Sequence, residues 1–205
     1  MAATKTSLHI AAFQQAMHPA ALLRPRSSPQ QDALALQTLD EELHIRQTSL
    51  GQWACSAPGG FAWLSVADGV TSSPCADLAS RSFLQVLHRA RPGAPPLQAG
   101  QLPGLVRQAR HDWRTQYLQP RTRGAASTLA SLLVADGQVC AVNSGDARIW
   151  RLRSQADGRV QWLQISRDHT AWQQMLDDGE AQAEQADEYA SIYQGLLQCL
   201  VLDAD

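Results

Sequence analysis

Asp136-Gly137 links two short apolar runs, residues 127–135 and 138–143. Two residues can join two extended segments only as a tight hairpin, and Asp-Gly suits the left-handed backbone such a turn needs. The two runs are therefore antiparallel neighbours. Residues 147–153 form a third strand-like run, and Asp157-Gly158 marks another turn before 160–165. Upstream the period changes. Leu78, Ala79, Phe83, Val86 and Leu87 give 76–88 the spacing of an amphipathic helix, and a second helix is predicted over 105–118. A Pro/Gly-rich stretch, 91–104, reads as a linker between them. A third helix is predicted from about 170 to 186.

The short apolar run 61–67 lies between Gly59-Gly60 and Asp68-Gly69, which suits a buried strand ending in a turn. Residues 7–13 are a strand candidate. Residues 14–31 carry three prolines and a Ser-Ser pair and read as a loop. Residues 33–46 stay ambiguous between strand and helix. Strands, then two helices, then an antiparallel meander predict an α+β fold with helices outside antiparallel sheet, not a βαβ chain.

Length, 205 residues, suits one domain or one plus a fragment. Apolar residues make up 44%, enough for a packed core, and the net charge of -2 carries no basic stripe for nucleic acid. No run approaches the roughly 18 apolar residues that span a bilayer. The N-terminus has no apolar signal core, so a cytoplasmic protein is expected. Cys55, Cys75, Cys140 and Cys199 form no C-x-x-C pair and read as buried free thiols. The six tryptophans read as packing residues. No Gly-rich phosphate loop, G-x-S-x-G elbow or Cys-based phosphatase loop is present.

Three aspartates, Asp32, Asp68 and Asp146, sit at strand-end positions. A carboxylate there is rigidly held and points into the crevice at the sheet's end, where hard cations such as Mg²⁺ and Mn²⁺ take oxygen ligands. Asp-Gly and Gly-Asp are also ordinary turn pairs, so from spacing alone both readings stay open.

Four segments carry a more specific signal. Ser65-Val66-Ala67-Asp68-Gly69-Val70, followed by 76–80, resembles the metal-binding motif of the PP2C (PPM) protein serine/threonine phosphatases. Gly124-Ala125-Ala126-Ser127-Thr128 resembles that family's Gly-x-Ser-Thr strand opening. Residues 141–148, Ala-Val-Asn-Ser-Gly-Asp-Ala-Arg, resemble its Ala-Asn-x-Gly-Asp-Ser-Arg motif, and Arg167-Asp168-His169-Thr170 its Asp-His-Ser/Thr element. The resemblance covers about residues 8–200. It implies a four-layer α-β-β-α fold, an antiparallel β-sandwich flanked by helices, with the metals at one end.

The resemblance also implies the chemistry: hydrolysis of phosphoserine or phosphothreonine by water activated on two, in some members three, Mg²⁺ or Mn²⁺ ions. The partner it implies is a phosphorylated protein opposing a Ser/Thr kinase, with no nucleic acid or membrane. Asp68 matches the carboxylate that bridges the metals, and the Gly69 carbonyl a backbone ligand. Asp146 matches a third-metal ligand, and Asp32 the last acid of an Asn-Glu/Gln-Asp motif. Gln31 stands where many members have glutamate. Arg26 resembles the arginine that grips the substrate phosphate, with Arg24 as its rival, since a guanidinium fork suits phosphate oxygens.

The sequence also departs from the family pattern. The loop Val70-Thr71-Ser72-Ser73 has no histidine, which leaves water to protonate the leaving group. His169 is read as structural, orienting its loop through a hydrogen bond. The downstream Ser-Asp-Gly and Asp-Asn metal motifs are not in the sequence. The expectation is therefore a single PPM-type domain over 1–205, incomplete at its C-terminus, lacking its last strands and inactive as it stands. The alternative is a catalytically inactive phosphatase-like fragment or binding protein.

Overall fold

The computed structural model describes residues 8–14, 31–38, 44–46, 51–57, 61–90, 97–186 and 195–203. In chain order the strands and helices are β1 (Leu8–Gln14), β2 (Asp32–Thr38), β3 (His44–Arg46), β4 (Gly51–Ala57), β5 (Ala62–Asp68), α1 (Ala76–Arg89) and α2 (Leu102–Tyr117). There follow β6 (Ala126–Ser127), β7 (Leu129–Ala135), β8 (Gln138–Ser144), β9 (Trp150–Ser154), β10 (Val160–Gln164), α3 (Ala171–Asp177) and β11 (Leu200–Val201). The centre is a five-stranded antiparallel sheet in the order β3-β2-β5-β7-β8, while β1-β4, β9-β10 and β6-β11 form two-stranded antiparallel ribbons. This is the α+β architecture expected from the order of patterns.

The hairpin that anchored the reading is present. Asp136 and Gly137 have φ of 51° and 72°, the left-handed pair that turns β7 back onto β8. The described residues of the ambiguous 33–46 lie in two strands, β2 and β3. Ala33, Ala35 and Leu36 are all buried, so both faces of β2 are covered and the period that distinguishes a strand from a helix is lost. The linker 91–104 is shorter than expected: a single helical turn at Ala99–Gln101 leads into α2, which takes in Pro103 and Gly104. Proline is tolerated there because the first helical turn does not use its N–H. The third helix, expected to reach 186, ends at Asp177. Gly179, with φ of 72°, breaks the helix two residues on, and only a separate turn at Ala183–Gln185 follows.

One face of the central sheet packs on the helices. Trp63, Ala67, Leu129 and Leu133 form the core with Phe83, Leu84 and Leu87 of α1 and Trp113 of α2. Phe83 and Trp113 meet edge to face at 5.4 Å, and the Trp113 indole N–H donates to the Ser82 hydroxyl at 2.8 Å. A polar string runs through this core. The Trp63 N–H donates to Ser131 Oγ at 3.0 Å, Ser131 Oγ lies 2.8 Å from Ser65 Oγ, and Ser65 Oγ lies 3.0 Å from His88 Nε2. The His88 ring stacks on Trp63 at 4.3 Å, and its Nδ1 has no partner. An Nε2–H tautomer donating to Ser65 leaves only a lone pair unmet, which costs less than a stranded N–H.

The cysteines depart from expectation. Cys75 is exposed, while Cys140 and Cys199 are half-buried free thiols; the Cys55 side chain lies outside the described residues. Cys75 occupies the left-handed turn that starts α1, while Cys140 lies on β8, at the end of the sheet order, and packs against the edge of the core. Trp63, Trp113 and Trp172 are buried packing residues, whereas Trp150 and Trp162 pair edge to face on the exposed β9-β10 ribbon. Among the described residues no helix is long and apolar enough to cross a membrane.

Candidate metal centre

β2 begins with Asp32 and β5 ends with Asp68, and the antiparallel register pairs these two residues directly. Alternation puts Ala33, Ala35, Ala67 and Ser65 on the face packed against the helices, so both aspartates project from the opposite one. Two carboxylates on facing residues are forced close together at the end of the sheet.

The Asp68-Gly69 corner is held on every side. The Gly69 N–H donates to the Gln31 carbonyl at 3.1 Å, and the Ser80 hydroxyl of α1 reaches the same carbonyl. The Val70 N–H donates to Ala126 O at 3.0 Å, and the Asp68 carbonyl accepts from Thr128 N at 2.8 Å and Ser127 Oγ at 3.1 Å. Gly69 is needed for space: a Cβ there would collide with the carbonyl of Ala76 in the first turn of α1. Gly69→Ala is expected to destabilise the chain by about 3 kcal/mol, the upper part of the usual range for overpacking, because a backbone carbonyl cannot swing aside. Denaturant midpoints check this; a loss below about 0.5 kcal/mol would mean that α1 backs away freely.

Asp146 comes from the loop after β8. Its neighbour Gly145 has φ of 91° and is bracketed by His169: the Gly145 N–H donates to His169 Nδ1 at 3.1 Å, and the His169 N–H donates to the Gly145 carbonyl at 2.9 Å. His169 thus orients this loop, the structural role read for it. The Asn143 amide donates to the Arg167 carbonyl at 2.6 Å. Arg148 makes a forked ion pair with the buried Asp168, which also accepts from Gln164 Nε2 at 2.9 Å. The last two segments singled out in the sequence are therefore tied to each other.

The electrostatics favour a cation. The Asp68 pKa is raised to about 7, first by burial, then by a hydrogen bond with Asp32, then by the charges of Asp32 and Asp146. A carboxylate pair that resists double ionisation is relieved by a proton or by a hard divalent cation, and the donors at hand, Asp32, Asp68 and the Gly69 carbonyl, are all oxygens. That donor set fits Mg²⁺ or Mn²⁺. Among the described residues no group of three or more His, Cys, Asp or Glu side chains is arranged to hold a metal. Asp146 acts on Asp68 through its charge.

Gln31 lies beside the corner, its side-chain oxygen accepting from the Thr71 hydroxyl at 2.8 Å. Arg26 and Arg24 lie outside the described residues. Sequence reasoning marked the Ser127-Thr128 segment without giving it a task; its hydroxyls grip Asp68 across a separation of about sixty residues, which no local pattern reveals.

No protein-family model and no curated protein matches the sequence. Solved structures do match. The serine/threonine phosphatase Stp1 from Staphylococcus aureus superposes with a TM-score of 0.67 at 16% identity, over 98% of this chain and 67% of that one. PstP/Ppp from Mycobacterium tuberculosis gives 0.62 at 19% identity, over 97% and 70%. The PstP catalytic domain in complex with two manganese ions gives 0.60 at 20% identity, over 98% and 70%. This chain therefore has the fold of the bacterial PPM-type serine/threonine phosphatases, and spans about two thirds of the length of those structures.

Proposed function

We propose that residues 1–205 form one phosphatase-like domain whose Asp32-Asp68 corner serves metal-dependent hydrolysis of phosphoserine or phosphothreonine in proteins. The observation that supports it most is the pairing of Asp32 with Asp68 at the ends of neighbouring strands, with Asp68 pressed to a pKa of about 7. In this reading Asp68 and Asp32, with the Gly69 carbonyl and Gln31, hold Mg²⁺ or Mn²⁺, and Asp146 adds negative charge for a further ion. Bound ions of this kind lower the pKa of water and draw charge from phosphoryl oxygens. The chain's own part is to fix where the Asp68 carboxylate starts: its backbone is tied at both its N–H and its carbonyl. Arg26, or Arg24, is the proposed grip on the substrate phosphate. The substrate is a phosphoprotein and its kinase the opposing enzyme.

A phosphatase-like binding protein without turnover is the second reading. It is favoured by Gln31, whose neutral amide lies beside the Asp32-Asp68 corner and adds no charge for a metal. Phosphate release from a phosphothreonine peptide, measured with Mn²⁺ and with excess chelator, separates the readings. Release that needs Mn²⁺ supports the phosphatase. Mn²⁺ binding without release supports the binding protein. Full release in chelator would remove the metal from both.

A further inference from the structure

Thr128 is 2% exposed and lies between β6 and β7, where it touches both loops that carry the candidate acids. Its hydroxyl oxygen accepts from the Asp68 N–H at 3.1 Å, and its own N–H donates to the Asp68 carbonyl at 2.8 Å. On the other side it backs onto Gly145: a Cβ on Gly145 would sit 2.7 Å from the Thr128 methyl carbon. The register explains this. Leu129 pairs with Ser144, so one residue further on Thr128 lies beside Gly145, the residue before Asp146. Gly145 cannot move away from Thr128 freely, since His169 holds both its N–H and its carbonyl.

We infer that Thr128 is a positioning residue for the metal centre: its hydroxyl fixes the Asp68 backbone, while its methyl group only packs against Gly145. This rests on the metal-site reading above. The Thr128 hydroxyl and N–H both bond to the Asp68 backbone, so Thr128 acts on the metal centre through that backbone. The two arms are chemically separable. Valine keeps the shape against Gly145 and removes the acceptor for the Asp68 N–H. Serine keeps the acceptor and removes the methyl.

The test is Mn²⁺ titration of the whole chain, followed by the loss of the free-ion electron paramagnetic resonance signal, alongside amide hydrogen exchange at Asp68 in metal-free protein. Thr128→Val is expected to weaken Mn²⁺ binding about tenfold, in the range found when partners of metal ligands are removed, and to speed exchange at Asp68. Thr128→Ser is expected to stay within about threefold of the native affinity, with native exchange at Asp68. Folded Thr128→Val that binds Mn²⁺ like the native chain overturns the inference. So does a tenfold loss in Thr128→Ser, which would assign the effect to packing and still decides the matter if the valine variant does not fold. A native chain that binds no Mn²⁺ would overturn the metal reading instead, and the exchange rates would then report on the backbone clamp alone.

Discussion

Asp68→Asn is expected to lower Mn²⁺-dependent phosphate release by on the order of 100-fold, and Asp146→Asn by about tenfold. The difference follows from where the chain holds the two side chains. Asp68 shares a hydrogen bond with Asp32 on the facing strand and feels the charges of both other acids. Neutralising it removes the carboxylate common to every close donor set at the sheet's end. Asp146 sits on a loop and contributes field more than contact, and screening weakens such a contribution with distance. Asp32→Asn is expected near the Asp68 variant, because it removes the other half of the pair. Steady-state rates at matched free Mn²⁺ decide the order; equal losses at 68 and 146, or a larger one at 146, would overturn the assignment.

His88 is expected to make the metal-free protein acid-labile. Burial lowers its pKa from 6.5 to about 3, so between those values the unfolded chain takes a proton that the folded one refuses. Stability then falls as pH drops through that window, by up to about 5 kcal/mol at its lower end. Asp68 works in the opposite sense. Its folded pKa, about 7, lies above the usual 3.8, so its contribution is fully present below about pH 4 and is lost as pH rises through 7. The Asp68 side chain is open to water on one side, and solvent screening leaves this second slope the smaller. His88→Phe keeps a ring over Trp63 and leaves Ser65 bonded to Ser131, so it should abolish the acid slope and unmask the Asp68 one. Mn²⁺ should then flatten that remainder by holding Asp68 ionised. Denaturant midpoints between pH 4 and 7 for both proteins, with and without Mn²⁺, check the pattern; parallel profiles for native and His88→Phe would refute it.

The β7-β8 hairpin and the end of β5 were legible because their signals are local. Asp136-Gly137 specifies its hairpin, and Asp68-Gly69 closes an apolar run, both within a few residues. β2 was not legible, since burial on both faces erases alternation. Nor was the early end of α3, where the apolar spacing runs on past Gly179 while the backbone does not. The rest of the site is made of distant pairs: Thr128 on Asp68, Arg148 on Asp168, His169 on Gly145. Each partner is an ordinary polar residue in its own neighbourhood and acquires its task only when the sheet brings the other to it.

The sheet order has a kinetic consequence. β5 and β7 are neighbours, yet α1 and α2 lie between them in the chain. Pairing them closes a long loop before the contacts that reward it exist, which slows folding. β2 can meet β5 earlier, so the Asp32-Asp68 pair can form while β7 is still absent. During that interval the two acids lie together without the Ser127-Thr128 clamp, and β5 presents an open edge to other chains. A divalent cation captured by the β2-β5 pair at this stage would favour the paired register, making the same ion a guide to folding as well as a requirement of the proposed chemistry.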